Sequence, residues 1–391
     1  MDIELLKRQA TEAAVHAVDV RRELHRFPEP GNMEYHTAKI IENELKKMGL
    51  SIKRLLPTGL ICTIECGNQE KNEGGIGLRA DLDGLPVKEA HKLPFSSSID
   101  GYMHACGHDV HMAVILGTAR VLIENKHRLK RDIRLIFQPA EETTGGAEKM
   151  IAAGCLKNPG ISEVYGLHIM PELIAGQVGI KHGCVHAASD MFRIQIKGRG
   201  SHGASPEKGI DALLAACQVV GNLQSVVSRS INATEPAVLT VGSFHSGMAG
   251  NIIADEALLE GIIRSISPET GDLMRTRTEE ITRSVAAGAG AESIVKFAKG
   301  YPALINDRDS TAKLKKMAVS LIGQDNCVLL KTASMRTEDF SFFLEKAKGC
   351  FFFLGSGFPH RNNPPIHSGD LYVNEKCIET GILIMSGICL R

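Results

Sequence analysis

Short apolar runs that alternate with helices constrain the fold of this chain more than any other feature of its sequence. Runs at 76–80, 133–137, 164–167 and 351–354 are bounded by Gly and Pro and are typical of buried strands. Helical patterns separate the first three runs, notably over 110–124. Because strands buried on both faces are typical of sheets covered by helices, we predict an α/β domain with a mostly parallel sheet.

The hydrophobic periodicity changes near residue 187. There Phe192, Ile194 and Ile196 alternate with polar residues, which predicts a half-buried strand. The elements that follow run in the order β-α-β-β-α-β, the ferredoxin-like α+β unit with two helices on one face of a sheet. The 391 residues also exceed what one compact core usually serves. We therefore predict a domain over 187–300 inserted into a larger domain formed by 1–186 and 301–391.

The balance of charge limits the classes of partner. Lys+Arg and Asp+Glu number 45 each and no basic cluster stands out, so nothing in the sequence attracts nucleic acid or an anionic membrane. A small-molecule substrate fits better.

The first ten residues lack the apolar core of a signal peptide, and no apolar stretch approaches a membrane span. The ten cysteines have no disulfide-framework spacing, so we expect a cytoplasmic protein with reduced thiols.

Polar side chains gather directly after the predicted strands. Asp81 and Asp83 follow the first strand. Glu141 and Glu142 follow the second, and His168 follows the third. Because sites of open α/β sheets form at the carboxyl ends of strands, the sequence predicts a site at this edge. Taken separately, the two glutamates would also fit solvated acids and the histidine a structural residue.

The densest group of polar residues lies at 103–111. Cys106 and His108 stand two residues apart where a helix is predicted to begin, so both can reach one metal ion. The helix N-terminus also favours the thiolate form that a metal requires. The same residues fit a buried cysteine near a helix cap, and this segment alone does not decide between the two interpretations.

Two further histidines are candidates of lower specificity. His367 lies in the turn-rich segment 362–369, where a surface histidine is the commoner case. His202 lies in the Gly-rich segment 198–203, which would admit a ligand close to the backbone but also fits a hairpin-like turn. The sequence has no dinucleotide fingerprint, Walker lysine motif or Gly-x-Ser-x-Gly elbow. Cys106 as a nucleophile stays an alternative, although the surplus of acids and imidazoles favours a metal.

Several segments together resemble the amidohydrolase branch of the aminoacylase and carboxypeptidase-like metallopeptidases. That branch includes bacterial hippurate hydrolases and plant auxin-conjugate hydrolases. The matching segments, which extend over nearly the whole chain, are 21–29, 79–86, 103–109, 138–142, 200–206, 250–253, 261–264 and 338–341. The resemblance implies an α/β dinuclear-metallopeptidase catalytic domain with an inserted ferredoxin-like α+β lid, which would join two subunits into a homodimer.

The resemblance also implies a role for each candidate residue of the larger domain. Two divalent metal ions (Zn, Mn, Co or Ni) would be bound, with Cys106 as the bridging ligand. The expected ligands are Cys106, His108, Glu142, His168 and His367. Glu141 would be the general base, and Asp83 would orient a metal-bound imidazole.

The lid would supply three more residues. His202 would reach the active site of the partner subunit and stabilise the oxyanion, while Asn251 and Arg264 would hold the substrate or its carboxylate. Two positions depart from the family pattern: Arg336-Thr337 stands where Gly-Ser is usual, and no proline follows Ser368. Neither change removes a ligand, and both bear on substrate preference.

These expectations predict an enzyme that hydrolyses the amide bond of N-acyl amino acids, such as acetyl or benzoyl derivatives, and releases a carboxylic acid and a free amino acid. A metal-dependent dipeptidase or exopeptidase would share the fold and the site, and that alternative stays open. A non-catalytic binding protein on this fold would need a lost base or ligand, whereas Glu141 and all five candidate ligands are present.

Overall fold

The computed structural model describes residues 2–67 and 74–390, which form two compact units. The first unit comprises Met1–Gly183, Asn306–Thr332 and Phe342–Arg391. The second unit comprises Cys184–Ile305 and Ala333–Ser341. Within the described ranges, no helix has both the length and the apolar character that crossing a membrane requires.

The helices are α1 (Ile3–Arg26), α2 (Tyr35–Lys47), α3 (His108–Glu124), α4 (Ala147–Ala152), α5 (Ala212–Ser230), α6 (Pro268–Gly288), α7 (Arg308–Ile322), α8 (Ser341–Leu344) and α9 (Lys376–Cys389). The strands are β1 (Ile52–Arg54), β2 (Leu60–Ile64), β3 (Gly75–Asp81), β4 (Ile133–Gln138), β5 (Ile161–Ile174), β6 (Val178–Ile180), β7 (Gly183–His186), β8 (Ala188–Lys197), β9 (Ser201–His202), β10 (Ala237–Ser246), β11 (Ile252–Ile253), β12 (Glu256–Ser265), β13 (Glu292–Lys299), β14 (Leu304–Asn306), β15 (Cys327–Leu329) and β16 (Lys348–Gly357).

The core of the first unit is an eight-stranded sheet in the order β1-β2-β4-β3-β5-β16-β6-β15. The four central strands β4, β3, β5 and β16 are parallel to their neighbours within this group. Every residue of β3 and β4 is buried, as expected for strands with packed elements on both faces. The predicted α/β fold with a mostly parallel sheet is confirmed.

Strand β5 extends well beyond the predicted run at 164–167, because its parallel pairing with β16 continues through Met170. His168 therefore lies within the strand, paired with Phe353, and not in a loop after it. Asp81 is likewise the last residue of β3. The edge that carries the candidate site is therefore partly built from the strands themselves.

The second unit has the element order β8-α5-β10-β12-α6-β13, and its four strands form an antiparallel sheet in the order β10-β12-β8-β13. Phe192, Ile194 and Ile196 of β8 are buried in a core that α5 and α6 complete. The alternation seen in the sequence thus marks the face of the sheet that the helices cover. The predicted ferredoxin-like α+β arrangement is confirmed.

Candidate metal centre

Five side chains of the first unit, which are the five predicted ligands, converge on one point. Cys106 Sγ lies 3.2 Å from His168 Nε2 and 3.2 Å from His367 Nε2. Glu142 Oε1 lies 3.1 Å from His367 Nε2 and 3.9 Å from His108 Nε2. The structure therefore brings together residues from the start of α3, the loop after β4, strand β5 and the loop before α9.

The thiol of Cys106 belongs to two groups of potential ligands at once. Its sulfur groups with His108 and His168, and it groups separately with Glu142 and His367, each group having its ligand atoms within 4.8 Å of one another. One sulfur shared by two such groups is the arrangement that a bridging thiolate needs.

A glycine turn places Cys106 and His108 on the same side of the chain. Gly107 has a φ of +82°, in the left-handed region, and α3 begins at the next residue. A Cβ at this position would also lie 2.3 Å from Ile169 Cδ1. Glycine alone satisfies both the backbone conformation and the close approach of β5.

Asp83 holds two parts of the centre in place. Its two carboxylate oxygens accept hydrogen bonds from the backbone N–H groups of Glu141 (3.1 Å) and Glu142 (2.9 Å). Asp83 Oδ1 also lies 3.4 Å from His108 Nδ1, while His108 Nε2 lies 3.7 Å from Asp81 Oδ2 and 3.9 Å from Glu142 Oε1. One buried carboxylate thus sets both the backbone of the acidic pair and the ring of a candidate ligand.

Backbone contacts fix the tautomer of His168. Its Nδ1 lies 2.8 Å from the carbonyl oxygen of Ile169, which can only accept, so Nδ1 carries the proton and Nε2 presents its lone pair towards Cys106. The N–H of Ile169 in turn donates to His111 Nε2 at 3.0 Å. Ile169 therefore orients His168 through its carbonyl oxygen, while its own N–H is bound by His111.

His111 is a buried residue of the centre that the sequence reasoning missed. Because His111 Nε2 accepts a hydrogen bond from the Ile169 N–H, its Nδ1 carries the proton and donates to Asp81 Oδ1 at 2.6 Å. Both ring nitrogens are thereby used, so His111 supports the centre without being a ligand, although it groups with Asp81 and His108 by distance. The sequence does contain a pattern that indicates this role, because His108 and His111 are three residues apart and therefore share one face of α3.

The electrostatics of the centre favour a bound cation. Burial raises the pKa of the Cys106 thiol well above its usual value, and the nearby Glu142 and Glu141 raise it further. Burial by itself would lower the pKa of His108, but Asp81, Asp83 and Glu142 raise it to about 10. The surplus of negative charge therefore retains protons on groups that a divalent cation would deprotonate.

The donor set fits such a cation. Both ring nitrogens of His108 and Glu142 Oε1 are buried. Among the described residues they have ion-pair contacts at 3.1 to 3.9 Å but no hydrogen bond. Atoms of this kind are costly to bury unless something binds them. One thiolate, three imidazoles and one carboxylate form a mixed S, N and O set that suits divalent transition metals.

Glu141 lies beside the ligands and is buried. One of its oxygens is within 4.8 Å of ligand atoms of His108 and Glu142. It follows Ala140, whose φ of +59° marks a turn between β4 and the two glutamates. The pair thus offers one carboxylate to the ligand group and a second next to it.

The three predicted lid residues belong to the second unit. The ribbon of β9 and β11 brings His202 next to Asn251, since Gly203 N donates to Asn251 O at 2.7 Å. His202 is exposed and its Nδ1 accepts from Ala204 N at 3.0 Å, so its Nε2 carries the proton and can donate. Arg264 lies apart from this ribbon, in β12.

Arg264 has an unusual environment for a guanidinium group. Its Nη1 is buried and makes no hydrogen bond to any residue that the structure describes. Burial lowers its pKa, and no neighbouring carboxylate contributes to the shift. A half-buried cation without a carboxylate partner is suited to an anionic ligand.

This chain is similar to known proteins over most of its length. The family model for peptidases of family M20/M25/M40 matches residues 77–391. N-acetyl-L-cysteine deacetylase of Bacillus subtilis is 38% identical over 354 residues, which cover 90% of this chain and 83% of the relative. Thermostable carboxypeptidase 1 of Saccharolobus solfataricus is 35% identical over 391 residues, which cover 97% of this chain and 96% of the relative.

A solved structure is similar over almost the whole chain. It is that of the Bacillus subtilis YXEP protein, described as a dinuclear metal binding peptidase from the M20 family. The similarity covers 97% of this chain and 98% of that chain, with a TM-score of 0.85 and 31% sequence identity. Together with the ligand groups found here, it supports a site for divalent metal ions.

Proposed function

Since this chain belongs to peptidase family M20/M25/M40, we propose that it hydrolyses N-acyl amino acids and releases a carboxylic acid and a free amino acid. Membership of the amidohydrolase branch, predicted from sequence motifs, is confirmed, and the chain is a hydrolase of amide bonds. The observation that carries the proposal is the position of Glu141, a buried carboxylate next to the candidate ligands.

Two divalent ions are proposed for the centre. Cys106, His108 and His168 would hold one ion, and Cys106, Glu142 and His367 the other. Bound metal supplies an activated water and polarises the substrate carbonyl. The mixed donor set is compatible with Zn, Mn, Co or Ni.

Glu141 is assigned the movement of the proton. Its carboxylate is near the ligand atoms, while the N–H groups of Glu141 and Glu142 are both held by Asp83. A carboxylate held in this way can accept the proton of the attacking water and later give it to the departing amine. In this proposal Glu142 binds metal and the adjacent Glu141 carries the proton.

The second unit is assigned the binding of substrate. His202 presents a protonated Nε2, which suits it to stabilise the oxyanion of the tetrahedral intermediate. Asn251 lies beside His202 and would hold the substrate, and Arg264 would bind its α-carboxylate. As part of this proposal, the second unit joins two subunits into a homodimer in which His202 acts on the partner's site.

A second candidate is a metal-dependent exopeptidase that acts on short peptides. It is favoured by the similarity to a protein named as a carboxypeptidase, at 35% identity over nearly the whole chain. We prefer hydrolysis of N-acyl amino acids over exopeptidase activity because the relative with 38% identity is named as a deacetylase of an N-acyl amino acid.

A substrate panel after metal depletion tests the proposal. The enzyme is stripped with a chelator, reconstituted separately with Zn, Mn, Co and Ni, and assayed for free amino acid from N-acetyl amino acids, N-benzoyl amino acids and dipeptides. We expect no turnover after stripping, recovery with metal, and faster cleavage of the N-acyl substrates. Preferred cleavage of dipeptides would establish the exopeptidase instead, and activity that survives stripping would point to a cysteine nucleophile.

A further inference from the structure

The segment that carries Glu141 and Glu142 is held by hydrogen bonds to its backbone. Three consecutive N–H groups, those of Ala140, Glu141 and Glu142, all donate to carboxylates. Asp83 accepts the last two. The first goes to Glu34, a residue of the N-terminal segment more than 100 positions away, at 2.8 Å.

Ala140 is the point at which this segment needs support. It is fully buried and adopts a φ of +59°, a conformation that residues with a side chain rarely adopt. Such a backbone persists only where surrounding contacts determine it. Two contacts do so here: its N–H donates to Glu34 Oε1, and its carbonyl oxygen accepts from Gly145 N at 3.0 Å.

Glu34 has a second hydrogen-bond partner besides Ala140. It is completely buried, and its second oxygen, Oε2, accepts a hydrogen bond from Thr58 Oγ1 at 2.8 Å. The chain nearby packs tightly on the same loop, since a Cβ at Gly31 would lie 2.2 Å from Thr143 Oγ1 and 3.0 Å from Ala140 Cα. Burying a carboxylate costs free energy unless the group is hydrogen-bonded. A hydrogen bond from a backbone N–H to an ionised carboxylate is stronger than one to a neutral acceptor.

We propose that Glu34 is a positioning residue for the reaction, which through the N–H of Ala140 sets the direction in which the Glu141 carboxylate leaves the backbone. The inference rests on the proposed role of Glu141 as the proton carrier. Glu34 touches neither the candidate ligands nor the reacting groups, so it acts through the peptide at Ala140. Asp83 accepts from the two following N–H groups, so all three consecutive N–H groups of the turn are hydrogen-bonded.

Two substitutions of Glu34 separate the effect of its side-chain length from the effect of its charge. Glu34→Asp keeps the charge but withdraws the carboxylate by one methylene from Ala140 N. Glu34→Gln loses the charge but keeps an oxygen in place to accept from Ala140, while its amide donates to Thr58. Thr58→Val is the matched control, because it disturbs the same buried carboxylate from its other side and leaves the bond to Ala140 in place.

The measurements are kcat and KM of the metal-saturated enzyme together with backbone hydrogen exchange over 139–146. For Glu34→Asp we expect kcat to fall on the order of 100-fold, the loss typical of a misplaced catalytic group, with KM unchanged and faster exchange in this segment. Glu34→Gln should restore most of kcat and the slow exchange. Thr58→Val should resemble the wild type in both measurements.

Other results would overturn the proposal. Equal losses of kcat in Glu34→Asp and Thr58→Val would show that Glu34 only stabilises the fold. Unchanged exchange over 139–146 in Glu34→Asp would show that the peptide at Ala140 does not depend on it. If the wild type cleaves no N-acyl amino acid, the proposed function fails, and the exchange data still decide whether Glu34 holds this turn.

Discussion

Cys106 Sγ and His367 Nε2 lie 3.2 Å apart although 261 residues separate them in the chain. A backbone hydrogen bond supports the contact, because His367 N donates to the carbonyl oxygen of Ala105 at 2.7 Å. The loop before α9 is thus tied directly to the segment that opens α3. This link completes the second of the two ligand groups that share the sulfur.

Glu141→Gln should abolish turnover while metal binding persists. The amide keeps the size of the side chain but cannot accept and return a proton, so kcat should fall by roughly 100- to 10,000-fold. Metal content by mass spectrometry and kcat on an N-acyl amino acid measure the two effects. Glu148→Gln, an exposed acid a few residues along, serves as the control. Near-normal turnover would exclude Glu141 as the base.

Cys106→Ala should lower the number of metal ions bound. The sulfur belongs to both ligand groups, so its removal takes one ligand from each. We expect reduced metal occupancy at equal free metal and a matching loss of activity. Cys62→Ala removes a thiol that is also buried but lies in β2, and should leave the metal content unchanged. Full occupancy in the Cys106 variant would refute its role as a ligand.

Asp83→Asn should weaken metal binding without removing a ligand. An amide has one oxygen where the carboxylate has two, so one of the N–H groups of Glu141 and Glu142 would lose its acceptor. The support of His108 would weaken as well. Loss of such a group typically costs 10- to 100-fold, roughly, in metal affinity or activity.

A metal titration monitored by calorimetry checks this expectation for Asp83. The control is Asp132→Asn, which changes a carboxylate that accepts a backbone N–H from Cys66. Equal metal affinities in the Asp83 variant and the wild type would contradict it.

Arg264→Ala should raise KM for substrates that carry a free α-carboxylate. Its guanidinium has a buried nitrogen with no hydrogen-bond acceptor among the described residues, and loss of a bond to a charged group typically costs roughly 10- to 100-fold in binding. An N-acyl amino acid and its carboxamide should then be cleaved with similar KM. The control is Arg193→Ala, whose side chain is 62% exposed. An unchanged preference for the carboxylate would place its binding elsewhere.

The stability of the first unit should decrease in acid through Glu89. Burial by itself would raise the pKa of Glu89, but hydrogen bonds from His25 and the Ser97 amide outweigh it and lower the pKa overall. A lowered folded-state pKa means that the stabilisation is complete above the unfolded pKa, about 4.3, and is lost as the pH falls through the folded value.

Urea unfolding between pH 7 and acid measures this contribution. Glu89→Gln should be less stable than the wild type at neutral pH and should lose less stability on acidification. Glu12→Gln, an exposed acid of α1 with 69% side-chain exposure, should follow the wild type. Parallel pH dependence in the Glu89 variant and the wild type would count against the assignment.

Much of the fold could be predicted from local patterns. The strands β3 and β4 and the helix α3 lie within about two residues of the predicted runs. Each strand is mostly apolar because it is buried, although Arg79 and Arg134 interrupt the two runs. Strand β5 was underestimated, since its length depends on pairing with β16, which begins near residue 348. Pairing partners distant in sequence leave no local signal.

The sequence by itself determined the two kinds of periodicity, and with them the α/β unit and the ferredoxin-like unit, because side-chain spacing along a helix or strand is a property of neighbouring residues. It also determined which residue types are available to bind metal at the sheet edge. Only the tertiary structure decided that Cys106 is shared by two ligand groups, that His111 and Asp81 are a supporting pair, and that Glu34 holds the turn at Ala140. These relationships depend on distances between segments far apart in the chain, which packing sets and local sequence does not encode.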